Sequence, residues 1–217
     1  MTRKIQFKLG KYYHIYNRGV DKRIIFEKQY DYRRFLALLY LCNGEKPTSF
    51  WLTQPLRSPT SQWSSIDRGV PLVAIGAYCL MPNHFHLLIR ELQLRGVSRF
   101  MQKLSTAYTM YFNLSRERSG ALFQGKFKAK DVNSDEYLKY LFSYIHLNPS
   151  ELTNSRNKEK FLSSYSYSSY SDYYEGNRDI ECVLMPSEFP NYFLDRNKFQ
   201  QYIQEWIRYK YTVEVGA

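Results

Sequence analysis

The spacing of apolar positions switches repeatedly along this chain between the period of a strand and that of a helix, and the switches predict its elements. Lys11-Tyr12-Tyr13-His14-Ile15-Tyr16-Asn17 is rich in strand formers and stops at Arg18-Gly19, which predicts a first strand. His14 can face either side of it. Phe35, Leu38, Leu39 and Cys42 recur at helical spacing, predicting a helix over 32–41 with Arg33 and Arg34 on its outer side. From 43 to 68 the periodicity fails and Pro, Ser, Thr and Gln dominate, so this stretch reads as an insertion between core elements. Val70 to Leu80 resumes as an apolar strand, Pro82-Asn83 supplies turn chemistry, and His84 to Arg90 follows as the other half of a hairpin. A helix over about 97–114 carries Phe100, Leu104, Ala107, Tyr108 and Tyr111 as its apolar stripe.

The second half repeats the alternation. Lys126-Phe127-Lys128-Ala129-Lys130 alternates strictly, which puts Lys126, Lys128 and Lys130 on one face of a short strand. Three lysines on one face are either a solvated surface or a rail for phosphates. A third helix starts at Asn133 or Ser134, where Asn133 and Glu136 have capping-box spacing, and ends near Pro149. Its buried stripe is Leu138, Leu141, Phe142 and Ile145, which leaves Tyr137, Tyr140, Tyr144 and Asn148 on another face. A Ser/Tyr-rich stretch over 163–174, loops and a short amphipathic helix over about 196–209 complete the chain. The order strand, helix, strand, strand, helix, strand, helix is a split β-α-β arrangement, an α+β fold with helices packed on an antiparallel sheet. The expected organisation is one domain over 1–150, interrupted by the 43–68 insertion, and a C-terminal extension over 151–217 packing on or beside it.

Charge narrows the partner. Lys and Arg number 31 against 20 Asp and Glu, a formal charge of +11, which favours a polyanion such as nucleic acid or an anionic membrane surface. With 21 Tyr and 14 Phe, the chain offers stacking faces beside its cations, a combination suited to unpaired bases. No segment is long and apolar enough to span a bilayer, and Met1-Thr2-Arg3-Lys4-Ile5-Gln6 lacks the apolar core of a signal peptide, so the expectation is a soluble cytoplasmic protein. Cys42, Cys79 and Cys182 have no zinc or disulfide spacing and read as buried thiols.

The chemistry concentrates at Met81-Pro82-Asn83-His84-Phe85-His86, where two of the four histidines alternate on a strand and so aim the same way. Two imidazoles are ready ligands for a divalent metal and need an outside third. On the third helix Tyr144 and Asn148 are one turn apart, so the Asn side-chain oxygen could complete a site beside a phenolic nucleophile. Pro149 disfavours a helical backbone at Asn148, which leaves its aim open. His146 points elsewhere on that helix and takes a structural role.

Met81 to His86, together with Tyr144-Ile145-His146-Leu147-Asn148-Pro149, resembles HUH-type single-tyrosine transposases, and especially the REP-associated tyrosine transposases of bacteria. Tyr16-Asn17-Arg18-Gly19, Leu122-Phe123-Gln124-Gly125-Lys126-Phe127 and Tyr165-Ser166-Tyr167-Ser168-Ser169-Tyr170 extend the resemblance from about Tyr12 to Tyr170. It implies the ferredoxin-like, RRM-like fold of HUH endonucleases, a Mg²⁺ or Mn²⁺ ion on His84, His86 and Asn148, and Tyr144 as nucleophile. It also implies cleavage and transfer of single-stranded DNA near REP-like hairpins through a covalent 5′-phosphotyrosine, in a bacterial, nucleoid-associated setting. Arg18, Arg33, Arg34, Lys126, Lys128 and Lys130 are the residues expected to hold phosphates. The YIHLNP form and the absence of a long linker point to the chromosomally resident, monomeric branch rather than the homodimeric insertion-sequence enzymes. Two other readings compete: a domesticated hairpin-binding protein without chemistry, and a replication-initiator or relaxase nuclease. The latter typically places its tyrosine and further histidines differently.

Overall fold

The computed structural model describes residues 5–47, 66–154, 157–174 and 182–215; most of the 43–68 insertion lies outside them. Four strands form one sheet: β1 (Tyr12–Arg18), β2 (Val73–Met81), β3 (His84–Glu91) and β4 (Lys128–Val132), in the order β2-β3-β1-β4 with every pair antiparallel. With α1 (Gln29–Leu41), α2 (Gly96–Ser115) and α3 (Asp135–Leu147) interleaved, this is the ferredoxin-like βαββαβ plan followed by one helix. The His-x-His strand is internal, as its apolar run requires, because an interior strand is covered on both faces.

Alternation along the strands divides the core in two. Tyr13, Ile15, Phe85, Leu87 and Ile89 point to one face and pack under α1 and α2. Leu88 and Val132 point to the other, beneath Leu138, Leu141, Phe142 and Ile145 of α3. The same second layer takes in the C-terminal segment: Tyr170 of α5 (Tyr170–Tyr174), and Phe199 and Ile203 of α6 (Arg196–Val215), are buried against α3, while α4 (Lys158–Ser164) adds Leu162. In β2 the register slips between Ile75 and Ala77, and Gly76 there faces the Phe189 ring, which a Cβ would approach to 2.5 Å. The outer edge of β2 is closed by the Ser/Tyr-rich stretch, with Leu80 N–H donating to Tyr167 O and Ser169 N–H to Tyr78 O.

Several local expectations are corrected. The first helix begins at Gln29 rather than Tyr32, because the Asp31 carboxylate accepts the backbone N–H groups of Glu27 and Lys28, both at 2.9 Å. Arg34 is not on the outer side: it is buried between α1 and α2, its guanidinium 5.2 Å from the Tyr111 ring centroid. Helix α1 is covered by the sheet and by α2 together, so its buried surface is wider than its apolar stripe. At α3 the cap is Ser134, whose Oγ accepts the Tyr137 N–H, and not Asn133. The last helix also runs further than its amphipathic stretch, to Val215. Cys42 and Cys79 are buried, as expected, whereas Cys182 is only half-buried.

His146 is fully enclosed. Its Nδ1 bonds the Phe142 carbonyl at 2.8 Å and its Nε2 bonds Ser169 Oγ at 2.7 Å, which fixes the Ser/Tyr-rich stretch to α3. Burial holds its pKa down at about 3, and burial followed by the charge of Lys130 holds His14 at about 4. Each imidazole is therefore neutral when folded but protonates near 6.5 in the unfolded chain, so stability present above that pH is lost as pH falls. Between pH 7 and 5, in chelator, urea unfolding is expected to show a loss of ~2 kcal/mol for each of these two histidines. Unchanged stability over that interval would contradict their burial in neutral form.

Candidate active site

Cross-strand register assembles the site on the α3 side of the sheet. Tyr16 lies opposite His86 and Arg18 opposite His84 across β1 and β3, while His14 and Tyr16 face Lys130 and Lys128 across β1 and β4. Directly opposed residues share a face, so three histidines, Tyr16, Arg18 and two lysines occupy one surface.

Hydrogen bonds orient the imidazoles. His84 Nδ1 is 2.6 Å from Asn83 Oδ1, an acceptor, which assigns the proton to Nδ1 and leaves Nε2 with a lone pair. His86 Nδ1 is 2.8 Å from His14 Nε2, with the two rings stacked at a centroid distance of 5.0 Å. His86 is therefore anchored through one nitrogen, and its Nε2 is the atom left for a ligand. Both rings are held neutral, since burial first and neighbouring positive groups second lower their pKa values. For His84 the leading neighbour is Arg18; for His86 it is His14.

Helix α3 brings the other half. The Tyr144 ring packs edge-on against His86 and His14, with centroids 5.6 and 6.0 Å apart, and is 37 % exposed. Asn148 is buried and helical, at φ −51° and ψ −43°, contrary to the expectation drawn from Pro149. The chain tightens there into a 3₁₀ turn over Asn148–Leu152, which accommodates proline in its first turn. Asn148 Nδ2 donates to the Tyr144 carbonyl at 2.7 Å. That bond fixes the Asn148 side chain to the turn that carries the nucleophile candidate. Burial, then the negative charges of Glu151 and Tyr140, push the Tyr144 phenol above its ordinary value, while the Asn148 side chain works against them.

Among the described residues no three His, Cys, Asp or Glu side chains converge as a metal-binding group, so an ion here would need the Asn148 amide oxygen as its third donor. Two neutral imidazoles with outward Nε2 atoms and an adjacent amide are a donor set that suits a divalent ion. Of the expected phosphate-binding residues, Arg18, Lys128 and Lys130 lie on this face, and Lys126 precedes β4 as an exposed residue. Arg33 is exposed on α1, which covers the opposite face, and Arg34 is enclosed there. Sequence reasoning did not place His14 or Glu151. The strand period allowed His14 either face, and only the register with β3 sets it against His86.

Residues 70–148 match the family model described as "Transposase IS200 like". Over that stretch the chain is similar to IS200-like transposases. The IS200-like stretch contains His84, His86, Tyr144 and Asn148, whereas β1 with His14 lies ahead of it. Among solved structures the chain is similar to one described as "Structure of the REP associates tyrosine transposase bound to a REP hairpin". The TM-score is 0.51 at 13% identity, covering 88% of this chain and 91% of that one, a likeness of fold. No curated protein matches the sequence.

Proposed function

We propose that the protein cleaves and rejoins single-stranded DNA through a covalent 5′-phosphotyrosine on Tyr144, next to a hairpin of the REP type. The observation that carries this reading is the Tyr144 ring packed edge-on against His86 and His14, with Asn148 one turn further on bonded to the Tyr144 carbonyl. In the cleavage step the Tyr144 hydroxyl gives up its proton and its oxygen bonds to phosphorus. The bond from phosphorus to the 3′ oxygen breaks, and that oxygen leaves as a 3′ hydroxyl. The ester energy is kept in the protein–DNA bond, so a second 3′ hydroxyl can reverse the step without a nucleotide cofactor.

The chain's residues divide the work. Arg18, directly across from His84, and Lys128 and Lys130 at the edge strand place cations where phosphates would approach. His84, His86 and Asn148 are the residues that would hold Mg²⁺ or Mn²⁺, which when bound supplies Lewis-acid polarisation of the phosphodiester and steadies the departing 3′ oxygen. His14 orients His86 through their shared hydrogen bond. The 1–150 portion is proposed as the catalytic unit, with the C-terminal segment supporting α3, in a monomer.

A hairpin oligonucleotide with a single-stranded flank tests the reading. Incubation with Mg²⁺ or Mn²⁺ is expected to give a protein–DNA adduct that survives denaturing electrophoresis and disappears with chelator. A mobility shift with no covalent product at any metal concentration would instead identify a hairpin-binding protein without chemistry.

A further inference from the structure

Three tyrosines line the exposed side of α3 as a stacked ladder. Tyr137 and Tyr140 lie 5.9 Å apart at 18°, and Tyr140 and Tyr144 lie 5.9 Å apart at 23°. Helix α3 packs mainly over β2 and β3 and reaches β4 at Val132, with half-buried Tyr16 and the exposed Lys128 and Lys130 on the same face of β1 and β4. Tyr140 is 37 % exposed, although its buried neighbours supply ample apolar surface for a helix of this length. A stacked, half-exposed aromatic row beside a strand edge bearing cations has the chemistry of a single-strand track, with rings for bases and ammonium groups for the backbone.

We infer that Tyr137 and Tyr140 form a base-stacking wall for the single-stranded nucleotides next to the scissile phosphate, with Lys128 and Lys130 on the opposite side holding the phosphates. This rests on Tyr144 being the reacting end of the ladder, as proposed above. Each face-to-face ring extends the row outward from Tyr144, so a strand whose phosphate reaches that hydroxyl has its neighbouring bases alongside Tyr140 and then Tyr137. Stacking accepts every base because each has a π face, so this wall contributes affinity and alignment while sequence is read elsewhere. Trp206 of α6 meets the Tyr140 ring edge-on, with centroids 5.0 Å apart at 63°, and supports it from the C-terminal side.

Fluorescence anisotropy of the full chain in chelator, where no strand is cut, separates the wall from the chemistry. Two DNAs are used, a hairpin with a single-stranded flank and the same hairpin blunt. Tyr140→Leu keeps an apolar contact for Trp206 but removes the flat face, and Tyr140→Phe keeps both. The leucine variant is expected to bind the flanked hairpin about tenfold more weakly and the blunt one within twofold of the unaltered protein, while the phenylalanine variant binds both normally. A 2-aminopurine placed in the flank is expected to be quenched by the unaltered protein and by Tyr140→Phe, and not by Tyr140→Leu. Equal flank binding by Tyr140→Leu, or an equal loss on both DNAs, overturns the inference. Adduct formation by the unaltered protein is scored separately: flank-specific loss without any adduct would uphold the wall and sink the strand-transfer reading, and an adduct without flank-specific loss would do the reverse.

Discussion

Tyr144→Phe is expected to bind hairpin DNA as tightly as the unaltered protein and to form no covalent product, a fall of at least roughly 10³-fold in cleavage. The substitution removes one oxygen and keeps the ring, so the edge contacts with His14 and His86 and the stack on Tyr140 survive. Folding is therefore preserved and the loss is chemical. Tyr137 and Tyr140 are not expected to substitute, since of the three ladder tyrosines Tyr144 is the one whose ring packs on the histidines and whose carbonyl accepts from Asn148. Cleavage by Tyr144→Phe at even a tenth of the normal rate would move the nucleophile elsewhere.

His86→Ala should be as severe, for a different reason. It removes an imidazole whose orientation is fixed from behind by His14, and calorimetric titration with Mn²⁺ is expected to lose the binding isotherm along with metal-dependent cleavage. His14→Ala provides the contrast, because His14 would hold the ligand and not the ion. Its Mn²⁺ affinity is expected to fall 10- to 100-fold while saturating metal restores much of the cleavage. Should His14→Ala titrate like the unaltered protein, the hydrogen bond to His86 has no part in positioning it.

The fold was legible because its strands and helices carry clean periods: Leu87 and Ile89 against His86 and Leu88 separate the two faces of β3 before any tertiary contact is known. The histidine pair and the Tyr144–Asn148 turn were legible as spacings within single elements. What spacing could not supply was anything set by pairing between elements. His14 gained its role from a β1–β3 register fixed by the core on the far side of the sheet. Arg34 lost its proposed role because α2 covers a side of α1 that its own periodicity marks as polar. Asn148 was misjudged locally. The rule against helix before proline is overruled where the chain passes into a 3₁₀ turn and the Asn side chain caps the Tyr144 carbonyl.

Within the 70–148 family segment, β3 and α3 carry the residues proposed to react, and elements outside it, β1 and the C-terminal layer, hold them in place. His146 bridges α3 to Ser169, so the segment beyond Asn148 belongs to the scaffold of the site as well as to the chain's length.

The central claim is that one tyrosine oxygen becomes bonded to a DNA 5′ phosphate. Proteolysis of the denatured adduct followed by tandem mass spectrometry of the nucleotide-bearing peptide tests it most directly. The account predicts a 5′-phosphonucleotide on Tyr144, with a free 3′ hydroxyl on the released strand. A nucleotide mapped to Tyr140 or Tyr137, or a cleaved strand carrying a free 5′ phosphate and no peptide, would contradict it.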